Sequence, residues 1–264
     1  MRLEDATILV VDDEADLREI FAAWLNRNGC TVLTASNGVE ALSILETAKV
    51  DVLLSDIRMP IMGGVELVRK VFERKLVVPS VIFVSGFGDV HPREMYGLGV
   101  EALMEKPLRR KDLLRVLDDS LMERDQLWRT PSAEPMAQNL TLEMDSLSAA
   151  TQTCEFQLGR GGCCLTTQRA LDEEKTIDLS IHFAQEDLLL RAQGTVRWYE
   201  QVSPQAGVEF QYLYPSCRDW VLDAIRERTT CSFIPGCDWD VSRALAARSG
   251  ALQVSSASVR EVFT

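Results

Sequence analysis

The first part of the chain alternates short apolar runs with stretches of helical periodicity. Between the first two runs, apolar residues recur at spacings of three and four, which predicts one face of a helix that Gly29 can end. These residues are Leu17, Ile20, Phe21, Trp24 and Leu25. Apolar strands of this kind predict a doubly wound α/β domain over residues 1–125, with a five-stranded parallel sheet covered on both faces. The five runs are residues 8–11, 31–34, 52–54, 81–84 and 102–104.

The pattern changes after residue 125. Residues 126–140 contain Pro131 and Pro135 among polar and small residues, which predicts a linker. From Thr176 to Phe183, apolar residues alternate with mostly polar ones, as in a half-buried antiparallel strand, and further strands and a helix follow. We therefore predict a small antiparallel β-barrel or sandwich closed by a helix over residues 141–228, and a C-terminal extension over 229–264.

Composition and charge narrow the class of protein. The 264 residues are 46% hydrophobic and 26% charged, which is typical of a globular protein, and the formal net charge of −12 argues against a nucleic-acid binder. No apolar run approaches the roughly 20 residues that span a bilayer, and the first residues are charged, so we expect a cytoplasmic protein without membrane insertion. The seven cysteines form no CxxC motif, which predicts reduced thiols.

Chemically active residues follow the apolar runs of the first domain. Asp12 and Asp13 follow the first run, Asp56 the third, Ser85 the fourth and Lys106 the fifth. Because the carboxyl ends of parallel strands meet at one edge of a sheet, these side chains should converge there. Three neighbouring carboxylates repel one another and need a cation, and a hard divalent ion such as Mg²⁺ suits their oxygen atoms.

These residues lie in motifs that resemble the response-regulator receiver domain of bacterial two-component signalling. The resemblance implies that Asp56 accepts a phosphoryl group from a sensor histidine kinase. It also implies that Asp12, Asp13, Asp56 and the backbone carbonyl of Arg58 bind Mg²⁺, while Ser85 and Lys106 contact the phosphate. The family usually has an aromatic residue three positions before the lysine, where this chain has Leu103. The four motifs are residues 10–14, 54–60, 84–86 and 105–107.

Residues from about 140 to 228 resemble a PilZ domain, a small β-barrel known as a receptor for cyclic di-GMP. The resemblance depends on residues 161–165, 194–198 and 207–210. The family's paired-arginine ligand motif is missing, because the sequence between Thr130 and Gly159 has no Arg or Lys. Its second motif aligns with residues 157–162, where only the last glycine matches. We therefore expect no cyclic di-GMP binding by the family's usual mode.

Arg160 lies in that altered motif, between glycines. It is either a solvated turn residue or part of a partner site or residual anion site. Trp198 is more typical of a barrel core than of a stacking platform, and Cys163 and Cys164 are expected to pack as small strand residues.

Together these features predict a non-enzymatic adaptor that is controlled by phosphorylation. The barrel would pass the change to an unidentified protein target or act through self-association as a homo-oligomer. One alternative is a cyclic di-GMP receptor that integrates both signals, which the missing arginines disfavour. Another is a DNA-binding transcriptional regulator. Residues 245–250 and 257–260 resemble a helix-turn-helix only imperfectly, so no DNA binding is expected.

Overall fold

The computed structural model describes residues 1–86, 90–133, 135–227, 232–236 and 260–261. The chain forms two compact units, one of Met1–His91 with Leu98–Glu123, the other of Pro92–Gly97 with Arg124–Thr264. The short helix Pro92–Gly97 therefore packs with the second unit, although its neighbours in sequence belong to the first. None of the helices in the described part of the chain is long and apolar enough to cross a membrane.

The first unit is built on five parallel strands in the order β2-β1-β3-β4-β5. This confirms the predicted parallel α/β sheet, and each strand extends the predicted run by one to three residues. The strands are β1 (Thr7–Val11), β2 (Thr31–Ala35), β3 (Val52–Asp56), β4 (Ser80–Ser85) and β5 (Val100–Glu105). The helices between and after them are α1 (Ala15–Asn26), α2 (Gly38–Thr47), α3 (Gly64–Glu73), α4 (Pro92–Gly97) and α5 (Arg110–Leu121), with a single 3-10 turn at Leu3–Asp5.

Helices cover the central strands, so β1, β3 and β4 are buried almost throughout. On one face, alternate strand residues such as Ile8 and Leu54 pack against Phe21 of α1 and Leu117 of α5. The predicted face of α1 was wrong at Ile20, which is 43% exposed. A helix rotates by about 100° per residue, so the buried stripe holds only part of a five-residue apolar face.

The second unit is built on one seven-stranded sheet in the order β12-β6-β9-β10-β11-β8-β7. Its strands are β6 (Gln138–Met144), β7 (Phe156–Leu158), β8 (Gly162–Thr166), β9 (Thr176–Phe183), β10 (Leu188–Glu200), β11 (Gln205–Leu213) and β12 (Arg260–Glu261). Its helices, besides α4, are α6 (Arg124–Leu127), α7 (Leu147–Gln152) and α8 (Pro215–Glu227).

The prediction that all strands of the second module are antiparallel was wrong for one pair, because β6 runs parallel to β9. A parallel pair needs a crossover of a dozen or more residues, and α7, β7 and β8 lie in the segment that joins these two strands. The segment 126–140, expected to be a linker, contains the buried Trp128 and the first residues of β6.

The core of the second unit matches the expected alternation. Ile177, Leu179, Ile181 and Phe183 of β9 are all buried, as predicted. Trp198 is buried and lies against Gly207, where an added Cβ would overlap its indole ring. Cys163 and Cys164 are buried in β8, as expected, and the cysteines of the described residues are free thiols.

The C-terminal extension is described at residues 232–236, which are buried, and at β12, which pairs antiparallel with β6. The segment 245–250 and residues 257–259, which were compared with a helix-turn-helix, lie outside the described residues.

Candidate functional site

The strand register of the first unit brings the predicted residues to one edge of the sheet. Val11, the last residue of β1, is level with Ser55 in β3, so Asp12 and Asp56 both lie at the next position. In the same way, Asp56 is level with Val84 in β4, and Ser85 is level with Glu105, directly before Lys106. The carboxyl ends of four strands therefore deliver the acidic residues, the hydroxyl and the ammonium to a shared edge.

Lys106 joins the two buried carboxylates. Its Nζ donates to Oδ2 of Asp56 at 2.8 Å and to Oδ2 of Asp12 at 3.0 Å. Asp12 and Asp56 are 1% and 8% exposed, so this ammonium sits among charges that have lost most of their water. Charge-assisted hydrogen bonds of this kind are short and strong, and they hold both carboxylates in fixed positions.

The second oxygen of Asp56 faces the backbone. Oδ1 accepts the N–H of Ile57 at 2.6 Å and that of Arg58 at 3.3 Å. The carboxylate is thus held from both sides, by Lys106 at one oxygen and by the amides that follow β3 at the other. A carboxylate that is held in this way has already lost its freedom of orientation.

A divalent cation fits beside these groups. Asp12, Asp13 and Asp56 each present one carboxylate oxygen, and the three oxygens lie within 4.8 Å of one another. Asp12 and Asp56 are buried, whereas Asp13 is exposed. One lysine does not neutralise three carboxylates, and a donor set of carboxylate oxygens open to water on one side is the kind that binds Mg²⁺.

The pKa values of Asp12 and Lys106 are both shifted by their burial and by each other's charge. Burial raises the pKa of Asp12 above its ordinary value, against the opposing effects of the Glu14 N–H and of Lys106. Burial opposes the charge of Lys106 as well. Its hydrogen bonds to Asp56 and Asp12 and the attraction of both carboxylates outweigh that effect and raise its pKa. The lysine is therefore charged, and the excess negative charge of the cluster favours a bound cation.

Ser85 ends β4 at the same edge and is 8% exposed. Its hydroxyl donates to the carbonyl of Gly86 at 2.9 Å, and its own carbonyl accepts the N–H of Lys106 at 2.8 Å. The backbone link fixes Ser85 next to Lys106. The side chain of Arg58, whose carbonyl was the expected metal ligand, is exposed.

Two further residues shape the site, and no role was predicted for either from the sequence. Glu14 donates its N–H to Oδ1 of Asp12 at 2.9 Å, and its carboxylate lies 3.6 Å from Nζ of Lys106. Gly64 begins α3 against the end of β3, where an added Cβ would overlap the carbonyl oxygen of Asp56. The adjacency of Glu14 to Asp12 was a signal in the sequence, but the close approach at Gly64 was not.

The candidate residues of the second unit do not form a comparable cluster. Arg160 is half-buried, and its N–H donates to the carbonyl of Ser232 at 3.0 Å. Gln157, in the position of the family's acid or amide, donates weakly to Sγ of Cys154 at 3.4 Å.

In the first unit, Leu103, which stands where the family usually has an aromatic residue, is partly buried in β5.

Comparison with known proteins assigns the first unit to a family. Residues 8–118 match the family model described as the response regulator receiver domain. Among curated relatives, the transcriptional regulatory protein FixJ of Rhizobium meliloti is 32% identical over 117 residues, which is 44% of this chain and 57% of FixJ. The positive alginate biosynthesis regulatory protein of Pseudomonas aeruginosa is 36% identical over 113 residues, 42% of this chain and 45% of that protein. The chain thus spans about half the length of these relatives.

Solved structures match a similar share of the chain. The FixJ-N crystal structure is 30% identical and covers 44% of this chain and 94% of that chain, with a TM-score of 0.41. Response regulator protein TrrA of Thermotoga maritima, solved in complex with Mg²⁺-BeF, is 26% identical, with 44% and 100% coverage and a TM-score of 0.41. By the family match, the N-terminal part of this chain is a response regulator receiver domain, and its acidic cluster is of the type that binds Mg²⁺.

Proposed function

We propose that this chain is a two-component response regulator in which Asp56 accepts a phosphoryl group from the phosphohistidine of a sensor histidine kinase. One observation carries the proposal: in a receiver domain, the Asp56 carboxylate is held by Lys106 at 2.8 Å beside the oxygens of Asp12 and Asp13. Acceptor, counter-charge and cation ligands therefore occur together at one sheet edge.

The transfer is a displacement at phosphorus. A carboxylate oxygen of Asp56 forms the new O–P bond while the P–N bond to the donor imidazole breaks. The imidazole nitrogen keeps the electron pair and is protonated. Asp12, Asp13, Asp56 and the Arg58 carbonyl would hold Mg²⁺, which when bound supplies positive charge for the phosphoryl oxygens.

Lys106 has the main role among the side chains that contact the phosphoryl group. Its Nζ already lies between Asp12 and Asp56, so a small movement points it at an equatorial phosphoryl oxygen. Charge stabilisation by one such prepositioned donor typically contributes about a hundredfold or more to the rate. The Ser85 hydroxyl can leave the Gly86 carbonyl and donate to the phosphoryl group once it is attached.

We propose that residues 141–228 are a PilZ-like output module, joined to a receiver over residues 1–125, and that it acts through protein contacts rather than through cyclic di-GMP. The support is chemical. The stretch before Gly159 carries no arginine, and the ring of Phe233 occupies the space over Gly161 in the altered ligand motif. A dianionic dinucleotide would meet few of the bidentate donors that it needs.

Acetyl phosphate with Mg²⁺ tests the acceptor directly. Wild type should gain the mass of one phosphoryl group, Asp56→Asn should gain none, and Asp118→Asn, which changes an exposed residue of α5, should label like wild type. Equal labelling of the wild type and Asp56→Asn would reject the assignment. Calorimetric titration of the full chain with cyclic di-GMP tests the second module, and micromolar or tighter binding would contradict the proposed output.

A further inference from the structure

Two arginines and two tyrosines lie together at the surface of the second unit, and we call them the Arg–Tyr patch. They are Arg191 of β10, Tyr212 of β11, Tyr214 after that strand, and Arg218 of α8. Arg191 alternates along β10 with the buried Leu190 and Ala192, so it lies on the face of the sheet that points away from the core. All four residues are half-buried, and each therefore still offers part of its surface to solvent.

Cation–π contacts hold the side chains of the patch together. The Arg191 guanidinium lies 4.2 Å from the centre of the Tyr214 ring, and the Arg218 guanidinium lies 5.9 Å from the centre of the Tyr212 ring. The two tyrosine rings meet edge to face, with centroids 5.1 Å apart. Asp178 fixes the far end of Tyr214, because its Oδ2 accepts the Tyr214 hydroxyl at 2.9 Å. Both guanidinium groups are thus in place before any partner binds.

Further hydrogen bonds join the strands and the helix that carry the patch. The N–H of Tyr214 donates to the carbonyl of Arg191 at 3.1 Å, and Nη2 of Arg218 donates to the carbonyl of Leu213 at 2.7 Å. Sγ of Cys217, the neighbour of Arg218 in sequence, donates to the same Arg191 carbonyl at 3.1 Å. Groups that are already ordered lose little conformational freedom on binding, so less of the interaction energy is spent on ordering them.

Within the described part of the chain, the positive charge of the patch has no carboxylate partner. Neither Arg191 nor Arg218 forms an ion pair there, since the Asp178 carboxylate accepts the tyrosine hydroxyl instead. Arg197 and Arg226 of the same unit, by contrast, each pair with a carboxylate. A guanidinium that lies over a ring can still donate the N–H groups in its own plane to a carboxylate. The patch is therefore complementary to an acidic partner, although the chain itself has a net charge of −12.

Apolar side chains border the patch. Leu189 lies two positions before Arg191, on the same face of β10, and is 39% exposed. The half-buried Trp220 of α8 lies beside it, with its Nε1 donating to the Leu189 carbonyl at 3.4 Å. Tyrosine, tryptophan and arginine are the residue types that contribute most to binding energy at protein interfaces. The composition of this surface therefore favours a protein partner.

We propose that the Arg–Tyr patch binds an acidic segment of the protein target, with a carboxylate at each guanidinium. This inference rests on the proposed function, because it names the partner chemistry of an output module that acts through protein contacts. A nucleic acid fits the patch less well. Its affinity for a protein grows with the number of phosphates that are neutralised, and two arginines neutralise only two. A short acidic peptide can instead pair its carboxylates with both arginines and place apolar side chains on Leu189 and Trp220.

Fluorescence anisotropy of the full chain tests the patch with a fluorescein-labelled peptide of Glu-Leu-Glu repeats. Wild type should bind this peptide, and added salt should weaken binding because it screens the charges. Arg191→Gln and Arg218→Gln should each weaken binding about tenfold. Arg226→Gln is the matched control, since it changes an exposed arginine of the same helix as Arg218, and it should bind as wild type does. If Arg218→Gln does not fold, Arg191→Gln alone decides.

Two further probes show which chemistry the patch recognises. A labelled peptide of Gln-Leu-Gln repeats and a labelled single-stranded oligonucleotide should both bind more weakly than the acidic peptide. The proposal is overturned if the acidic peptide does not bind, if Arg191→Gln binds it as wild type does, or if either of the other probes binds more tightly. The proposed function still stands in that case, provided that acetyl phosphate labels Asp56 and the full chain does not bind cyclic di-GMP. Failure of either of those two tests contradicts the proposed function itself.

Discussion

Each unit of this protein holds a cluster of buried charges, and the two clusters differ in what they leave unsatisfied. In the first unit, Lys106 bridges Asp12 and Asp56, with Asp13 nearby. In the second, Arg197 of β10 pairs with Glu209 of β11 and with Glu174, both at 2.6 Å. Both clusters combine one cation with several carboxylates.

The difference lies in geometry. Arg197 and Glu209 face each other across paired strands, at a register irregularity of β10, and the Arg197 side chain is only a quarter exposed. Burial acts against the charge of Arg197, and the attraction of Glu209 and Glu174 outweighs it and raises the pKa. In the first unit the carboxylates come from separate strand ends that open to water. That arrangement leaves room for a cation and a phosphoryl group, whereas the Arg197–Glu209 pair is closed between its two strands, with the Glu209 side chain only 16% exposed.

The largest expected effect is on the open cluster. Lys106→Met should slow labelling of Asp56 by acetyl phosphate and Mg²⁺ about a hundredfold, because it removes a prepositioned cation from the transition state. Labelling rates followed by intact mass measure this. Lys111→Met, at an exposed residue of α5, is the control and should label at the wild-type rate. If both variants label at the same rate, Lys106 does not have the role proposed here.

The closed cluster should instead affect stability. Arg197→Met leaves Glu209, whose side chain is 16% exposed, without its nearest cation. Breaking a buried pair in this way should lower the free energy of unfolding by about 3 kcal/mol, measured by urea denaturation. Arg226→Met removes an ion pair to Asp223 in which both side chains are about two-thirds exposed, and should cost close to nothing. Similar losses in the two variants would mean that the Arg197 cluster is not a buried pair in solution.

Substitution of two glycines separates an effect on stability alone from an effect on the labelling of Asp56. Gly207→Ala forces a methyl group into the buried Trp198 ring, and overpacking of this kind costs about 1–3 kcal/mol of stability.

Gly64→Ala pushes on the Asp56 carbonyl at the end of β3. It should therefore also slow labelling of Asp56 about tenfold, because small displacements of a reacting group are costly. Unfolding curves and labelling rates of both variants check this. If Gly207→Ala slowed labelling of Asp56 as much as Gly64→Ala does, the two glycines would not differ in their effect on the site.

The smallest effect concerns a half-buried histidine, His182. Hydrogen bonds to Glu143 and Asp187 raise the pKa of His182 above its ordinary value of 6.5. A raised pKa in the folded state contributes stability at acid pH that is lost as the pH rises through that pKa. Glu143→Gln should therefore lower the pKa of His182 in an NMR titration and destabilise the protein slightly at about pH 5 but not at about pH 9. An unchanged His182 titration would contradict the hydrogen bond.

The sequence was most informative where one pattern has one structural solution. Apolar runs of three or four residues separated by helical periods predicted the parallel sheet. Because the carboxyl ends of parallel strands share one edge, they also placed Asp12, Asp56, Ser85 and Lys106 together there. Alternation with a period of two likewise predicted the buried face of β9. These features depend on local periodicity, so no long-range contact was needed to infer them.

The errors occurred where two solutions share one pattern. Strands in parallel and antiparallel pairs can show the same alternation of apolar residues. The sequence therefore did not predict the direction of β6 relative to β9. The segment 126–140 has the composition of a linker, but Trp128 is buried against Phe210 with ring centres 5.7 Å apart. A single large apolar side chain can be buried without any periodicity around it.

The sequence by itself determined the receiver fold, the strand-end cluster and the absence of arginines between Thr130 and Gly159. Only the tertiary structure decided which unit α4 packs with and what covers the turn of residues 159–161. Those contacts join Tyr96, Arg160 and Phe233, which lie between 64 and 137 positions apart. Packing between such distant residues depends on how whole elements come together, and no local spacing encodes it.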